Sequence, residues 1–154
     1  MMKTRTNNAA AAIFWGGLIA GILDLTQAFI GFSLVGSTPF RILQRIAGGI
    51  FGTRSQQMGW TSAAVGLLCH CAVAFTAAAV YYLASRKLPL LVQRPVLCGL
   101  VYGEWVFLFM YFVVIPLSAI GTPQFNLATY ITGPVGHPLL VGLPIALCVR
   151  RFAG

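Results

Sequence analysis

Asp24, His70, Glu104 and His137 are all of the acids and all of the histidines in this chain, and each stands near the middle of an apolar run. A carboxylate at the centre of a lipid bilayer costs roughly 2.5–3.5 kcal/mol on insertion scales, so such a group is expected to face a partner or a cavity. Three kinds of chemistry fit the set. Carboxylates and imidazoles at one depth can pass protons or line a path for an ion or small solute. Two histidines and two carboxylates also match a transition-metal shell, and His70 with His137 could hold a haem from two helices. The third reading is structural: each polar group is satisfied by a neighbour, Asp24 by Arg41, Arg45 or His70, and serves to specify helix packing. Two patterns tell against a dedicated metal site. There is no Glu-x-x-His pair of the di-iron bundle type. Cys69, His70 and Cys71 are consecutive, so on a helix neighbouring side chains diverge by about 100° and cannot chelate together.

The elements that must carry these residues follow from composition. The chain has 154 residues, of which 58% are hydrophobic and 8% charged, and this balance cannot cover a water-facing surface. Four apolar runs, at about 10–35, 60–84, 95–115 and 127–149, are each long enough to cross a hydrocarbon core of about 30 Å. The expectation is a single all-α, polytopic membrane domain over residues 1–154, with one ionisable group per span. Lys3 and Arg5 before the first run imitate a signal peptide, but the run continues past Asp24 without a small-residue cleavage site ahead of a polar domain. It is read as a retained span.

Small residues surround each polar group at helical spacing. Gly17, Gly21, Ala28 and Gly31 flank Asp24, with Gln27 on the same face, Gly66 precedes His70, and Gly99 and Gly103 precede Glu104. Gly17, Gly21, Gly66, Gly99 and Gly103 are therefore expected to be helix-packing positions. Between the first two spans, Ser37-Thr38-Pro39 is a helix-start signal. The segment 39–52 then sets Ile42, Leu43, Ile46 and Ile50 on one side and Arg41, Gln44 and Arg45 on the other. It is too short and too charged to span, and reads as an interfacial or re-entrant amphipathic helix. Pro134, Pro138 and Pro144 predict kinks and freed carbonyls in the last span.

The net charge of +8 is spread over short clusters at the ends of the runs. This suits anionic lipid headgroups at the cytoplasmic side rather than nucleic acid. Lys3, Arg5, Arg86, Lys87, Arg94, Arg150 and Arg151 outnumber Arg41, Arg45 and Arg54, which places both termini in the cytoplasm. The four cysteines lie in or beside apolar runs and read as small buried hydrophobes. No Ser-His-acid arrangement, phosphate loop or polar cofactor domain is present, so neither an enzyme nor a cofactor is expected. The halves are faintly alike. Gly17 to Gly21 before an acid parallels Gly99 to Gly103 before Glu104, and each half continues into a span with a central histidine, as a tandem duplication would give.

The runs Gly21-Ile22-Leu23-Asp24-Leu25, Arg41-Ile42-Leu43-Gln44-Arg45-Ile46-Ala47-Gly48-Gly49, Ala79-Val80-Tyr81-Tyr82-Leu83-Ala84-Ser85 and Val114-Ile115-Pro116-Leu117-Ser118 resemble a set of small bacterial four-helix inner-membrane proteins of unassigned activity. More distantly, the Pro-Gly loop before the last span and Gly136-His137 within it are similar to the YagU family. The resemblance implies a bacterial inner-membrane protein, and YagU's link to acid tolerance implies proton handling. Glu104 departs from the pattern of the closer set, which leaves Asp24 the stronger candidate. The favoured reading is a structural or accessory subunit of a membrane complex or homo-oligomer. A proton, ion or solute channel or transporter using Asp24, His70, Glu104 and His137, or a haem or metal protein using His70 and His137, stays open.

Overall fold

The computed structural model describes residues 8–122 and 127–153, apart from the side chains of 127, 128, 130–132 and 153. Lys3, Arg5 and loop residues 123–126 lie outside it. Every regular element among the described residues is helical: α1 (Ala9–Ser33), α2 (Pro39–Phe51), a 3-10 turn (Gly52–Gln57), α3 (Gly59–Lys87), α4 (Leu90–Gln93) and α5 (Pro95–Phe109) come first. The third long helix continues through a π-helical turn (Met110–Val114) into α6 (Ile115–Leu117). The last runs from α7 (Leu127–Gly136) through a second π-helical stretch (His137–Gly142) into α8 (Leu143–Ala153). Four helices, Ala9–Ser33, Gly59–Lys87, Pro95–Leu117 and Gly133–Phe152, are long and apolar enough to cross a membrane. The chain is a multi-pass, all-α membrane protein.

Local chemistry explains the boundaries. The Asn8 side chain accepts from Ala11 N at the start of α1, and the Thr38 hydroxyl accepts from Arg41 N at the start of α2, where Pro39 occupies the first turn. Gly52, at φ 58°, ends α2 in a conformation that other residues resist. Both π-helical turns sit against prolines. Pro116 follows the first closely, and Pro138 and Pro144 lie in and just after the second. Proline has no N–H for the carbonyl four residues back. A wider turn relieves the ring clash and re-pairs carbonyls five residues on, as Leu143 N does with Pro138 O.

The two termini share one end of the bundle, since Asn8 N donates to Phe152 O at 2.9 Å. From there α1 runs antiparallel to both α3 and the last span and packs between them, while α5 packs on the last span's other side. Tyr102 Oη donates to Ala77 O at 2.7 Å and bridges α5 back to α3. The core near the termini is built of Ala12, Ala20, Ala78, Tyr81, Ile145, Ala146 and Val149.

The small-residue positions are where backbones come close. A Cβ on Gly17 would press into the Phe75 ring, and one on Gly21 would lie 3.2 Å from Ala74 Cβ, both on α3. A Cβ on Gly99 would meet Ala146 Cβ and Gly142 O at 2.9 Å, and one on Gly103 would strike His137 O and lie 2.6 Å from Pro138 Cα. Gly66 faces α2 rather than another span, with the Leu43 carbonyl occupying the space its side chain would need.

The amphipathic segment lies across the end of the bundle opposite the termini. Leu43 and Ala47 meet α3 at Gly66, near its start, and Gly49 O accepts from Ala119 N just beyond the third span. Gln44, which the pattern put on the polar side with Arg41 and Arg45, is 1% exposed. Its Nε2 donates to Gly59 O at 3.1 Å and reaches Ser62 Oγ at 3.3 Å, and the Ser62 hydroxyl donates to Ser55 O at 2.6 Å. This polar clamp holds α2 against the opening turn of α3. The segment thus packs on the first two turns of α3, from Gly59 to Gly66, and on the chain just beyond the third span.

Gly103→Val should force α5 off the last span and lower stability by about 1–3 kcal/mol or more. Gly49→Ala, whose Cβ would approach nothing closer than 4.0 Å, should be close to neutral. Unfolding of the purified protein in mixed micelles, followed by circular dichroism against added SDS, checks the ranking.

Candidate functional site

The antiparallel register brings the four candidate residues to one depth. Asn8 lies opposite Phe152 on the last span and Asp24 opposite His137. On the other side of α1, Gly21 lies opposite His70 and Ala74, and on α5 Gly103 lies opposite His137 and Pro138. The level expected from the sequence is therefore shared. The lateral positions are not.

Asp24 and His137 come together. His137 Nε2 stands 3.9 Å from Asp24 Oδ1, with the side chains 22% and 23% exposed, and this is the one ion pair among the described residues. The separation exceeds hydrogen-bond reach, so the attraction is Coulombic and acts when the imidazole carries a proton. One turn further along the same face of α1, the Gln27 amide lies against Gly136, leaving no room for a side chain there. The His137 ring also packs on Phe107 of α5, centroid to centroid 5.4 Å. Its Nδ1 is buried with no hydrogen-bond partner. Buried polar atoms are normally satisfied, so this nitrogen is an exception among the described residues.

His70 belongs to a different contact. Its Nε2 lies 2.9 Å from Gly21 O. A carbonyl oxygen can only accept, so Nε2 carries the proton and donates. That nitrogen is thereby occupied, and the ring is pinned to the face of α1 that packs on α3. The groove beside it, about 80 Å³, is lined by Gly17, Leu18, Leu67, Cys71 and Phe75 among others, and has room for no more than a few waters. Asp24, Glu104 and His137 are not among its walls.

Glu104 stands apart from both. Gly99, Gly103 and Phe107 form the face of α5 that meets the last span, and Glu104 projects about 100° from Gly103. No hydrogen bond or ion pair joins it to another described residue. Arg41 and Arg45 do not reach Asp24. Arg41 Nη1 donates to Gln56 Oε1 at 3.1 Å, and Arg45 Nη2 meets Ser37 Oγ at 3.4 Å with its guanidinium 5.6 Å from the Phe32 ring. The reason is depth. Asp24 lies about nine residues inside the end of α1, roughly 13 Å along the axis, while α2 lies across that end.

Among the described residues no three His, Cys, Asp or Glu side chains gather as a metal-holding group. With His70 Nε2 committed to a backbone oxygen and His137 Nε2 turned to Asp24, the two rings are engaged at separate helix contacts. Phe107, which packs on the His137 ring, and Gly136, which the Gln27 amide covers, were not singled out by residue chemistry. Phe107 could have been found as the next member of the Gly99–Gly103 stripe. Comparison with known protein families, curated proteins and solved structures finds no match to the chain.

His70→Phe removes one interhelical hydrogen bond and should cost about 0.6 kcal/mol, the average for such bonds in a membrane bundle. Gly136→Ala must displace the Gln27 amide and part α1 from the last span, so its cost should be larger, about 1–3 kcal/mol. Parallel SDS titrations of the two variants check the order; equal costs would mean that Gln27 yields freely.

Proposed function

We propose that the chain is a structural or accessory subunit of a bacterial inner-membrane assembly, with both termini cytoplasmic, and that its mid-depth polar groups set helix register. The observation that carries this reading is their division among separate contacts: Asp24 with His137, His70 with Gly21 O, and Glu104 with neither. A conducting path needs polar groups that succeed one another along a wettable space. The groove beside His70 is apolar and small, and it does not include the other three residues. Polar pairs inside a bundle contribute little net stability but penalise wrong pairings, because a slipped helix would leave a carboxylate facing lipid.

A second reading rests on one feature, the 3.9 Å Asp24–His137 pair with the unpartnered His137 Nδ1. A carboxylate beside an imidazole with one free ring nitrogen is competent to take up and release a proton. On that view the pair is the working element and Glu104 a bystander.

One experiment separates the two. The purified protein is reconstituted in liposomes loaded with a pH-sensitive dye, and proton entry is followed after an acid jump. The structural reading expects decay no faster than in protein-free liposomes, while Asp24→Asn lowers resistance to SDS unfolding. Proton entry above that background, lost in Asp24→Asn and His137→Gln and kept in Glu104→Gln, would replace it with the second reading.

A further inference from the structure

The end of the bundle away from the termini carries a cationic surface for which the chain supplies no anion. Arg41 and Arg45 are both exposed, and they are one helical turn apart on α2. Residues so spaced are neighbours on a helix surface, with Cβ atoms about 5–6 Å apart, and like charges in that relation repel. Their observed partners are neutral: Gln56 Oε1 for Arg41, and Ser37 Oγ with the Phe32 ring for Arg45. The chain's two acids, Asp24 and Glu104, both lie inside spans. Each guanidinium has five N–H donors. Most of them are left for an external acceptor.

The orientation of the pair is built in. Gln44, between the two arginines in sequence, is buried and tied to Gly59 O and Ser62 Oγ, so α2 cannot roll. Leu43 and Ala47 seat the helix on Gly66, and Gly49 O holds its far end through Ala119 N. Ile50, on the opposite side from the arginines, is exposed, and so is Trp60, whose ring meets Phe40 at 4.8 Å. An interfacial helix with basic residues toward the headgroups and apolar ones toward the tails results.

We propose that Arg41 and Arg45, flanked by Ser37 and Gln56, form a binding site for the phosphate of an anionic phospholipid headgroup. The guanidinium forks match phosphate oxygens bidentately, and one phosphodiester between them relieves their mutual repulsion. Phosphatidylglycerol is the occupant that fits: its headgroup adds hydroxyls within reach of Ser37 and Gln56 and brings no cation to compete with the arginines.

Trp60 is 81% exposed beside α2 and serves as a local reporter. In a Trp15→Phe/Trp105→Phe background the full chain is reconstituted in phosphatidylcholine vesicles containing a small fraction of brominated phosphatidylglycerol or brominated phosphatidylcholine. Quenching of Trp60 by the anionic lipid should exceed that by the zwitterionic one severalfold. Arg41→Gln/Arg45→Gln should abolish the excess, corresponding to roughly thirtyfold weaker binding at about one decade or less per arginine near an anionic surface. Arg41→Lys/Arg45→Lys, which keeps the charge but loses the forks, should retain only part of it. Equal quenching by the two lipids in the unsubstituted arginine background would overturn the proposal. So would an excess that survives the double glutamine variant with its circular dichroism unchanged. An excess erased by millimolar inorganic phosphate at constant ionic strength would assign the site to free phosphate instead and likewise overturn it.

Discussion

Gly99 and Gly103 of α5 and Gly142 of the last span put two backbones in direct contact, and most of what is distinctive in this bundle depends on that seam. Lipid tails offer helices no hydrophobic reason to associate, so association relies on close van der Waals approach, which only small residues permit. A Cβ at Gly142 would overlap Gly99 O and the Gly103 backbone, and one at Gly103 would overlap His137 O. The carbonyl of the candidate histidine is thus part of the seam itself. His137 begins a π-helical stretch that ends at Gly142, with Pro138 inside it and Pro144 just after it. Close packing, the backbone irregularity and the position of the imidazole are one arrangement, and a change at Gly103 moves all three.

The seam also accounts for the asymmetric surroundings of the Asp24–His137 pair. With α5 pressed against one side of the last span, the Phe107 ring closes over His137, and the facing side of that span meets α1 at Asp24 and Gln27. One ring nitrogen is directed to the carboxylate and the other is buried without a partner. At the other end of the molecule the polar contacts are well satisfied: Gln44 Nε2, Ser62 and Ser55 tie α2 to α3, though Gln44 Oε1 has no partner. Polar groups thus join helices at two levels, through hydrogen bonds between α2 and α3 and through the 3.9 Å approach of Asp24 and His137 at mid-bundle.

Much of the fold was legible in the residue pattern, because lipid imposes a simple rule: apolar runs of sufficient length become helices whose backbones satisfy themselves. The four spans, the amphipathic segment starting at Pro39 and the packing role of Gly17, Gly21, Gly99 and Gly103 all follow from length and spacing. Lateral arrangement did not follow. Spacing along one helix tells which residues share a face and leaves open which helix that face meets. Gly66 is a helix-packing position as its spacing suggests, and the helix it receives is α2. Gln44 falls with the arginines by spacing and is buried, since its neutral amide donates to Gly59 O and Ser62 Oγ, whereas a guanidinium would carry a permanent charge into the same contact. Asp24 was offered the arginines of α2 by proximity in sequence, whereas depth along α1 assigns it to His137.

The faint likeness of the two halves is instructive where it holds and where it breaks. In each half a glycine pair four residues apart packs on the next span of the same half, Gly17 and Gly21 on α3, Gly99 and Gly103 on the last span. In each, the second glycine meets that span's histidine, at Gly21 O for His70 and at His137 O for Gly103. The acids do not correspond in this way. Asp24 follows Gly21 by three residues, about 60° around the helix from it, whereas Glu104 follows Gly103 by one, about 100° around. The two offsets are in opposite rotational senses, and Asp24 lies on the flank of α1 that meets the last span of the other half. A matching contact from α5 to α3 would complete a pseudo-twofold arrangement. The contact that α5 does make there is the Tyr102 hydroxyl donating to Ala77 O at 2.7 Å. Three residues after Gly103, where Asp24 stands in the first half, the chain has Val106, and among the described residues there is one carboxylate–imidazole pair.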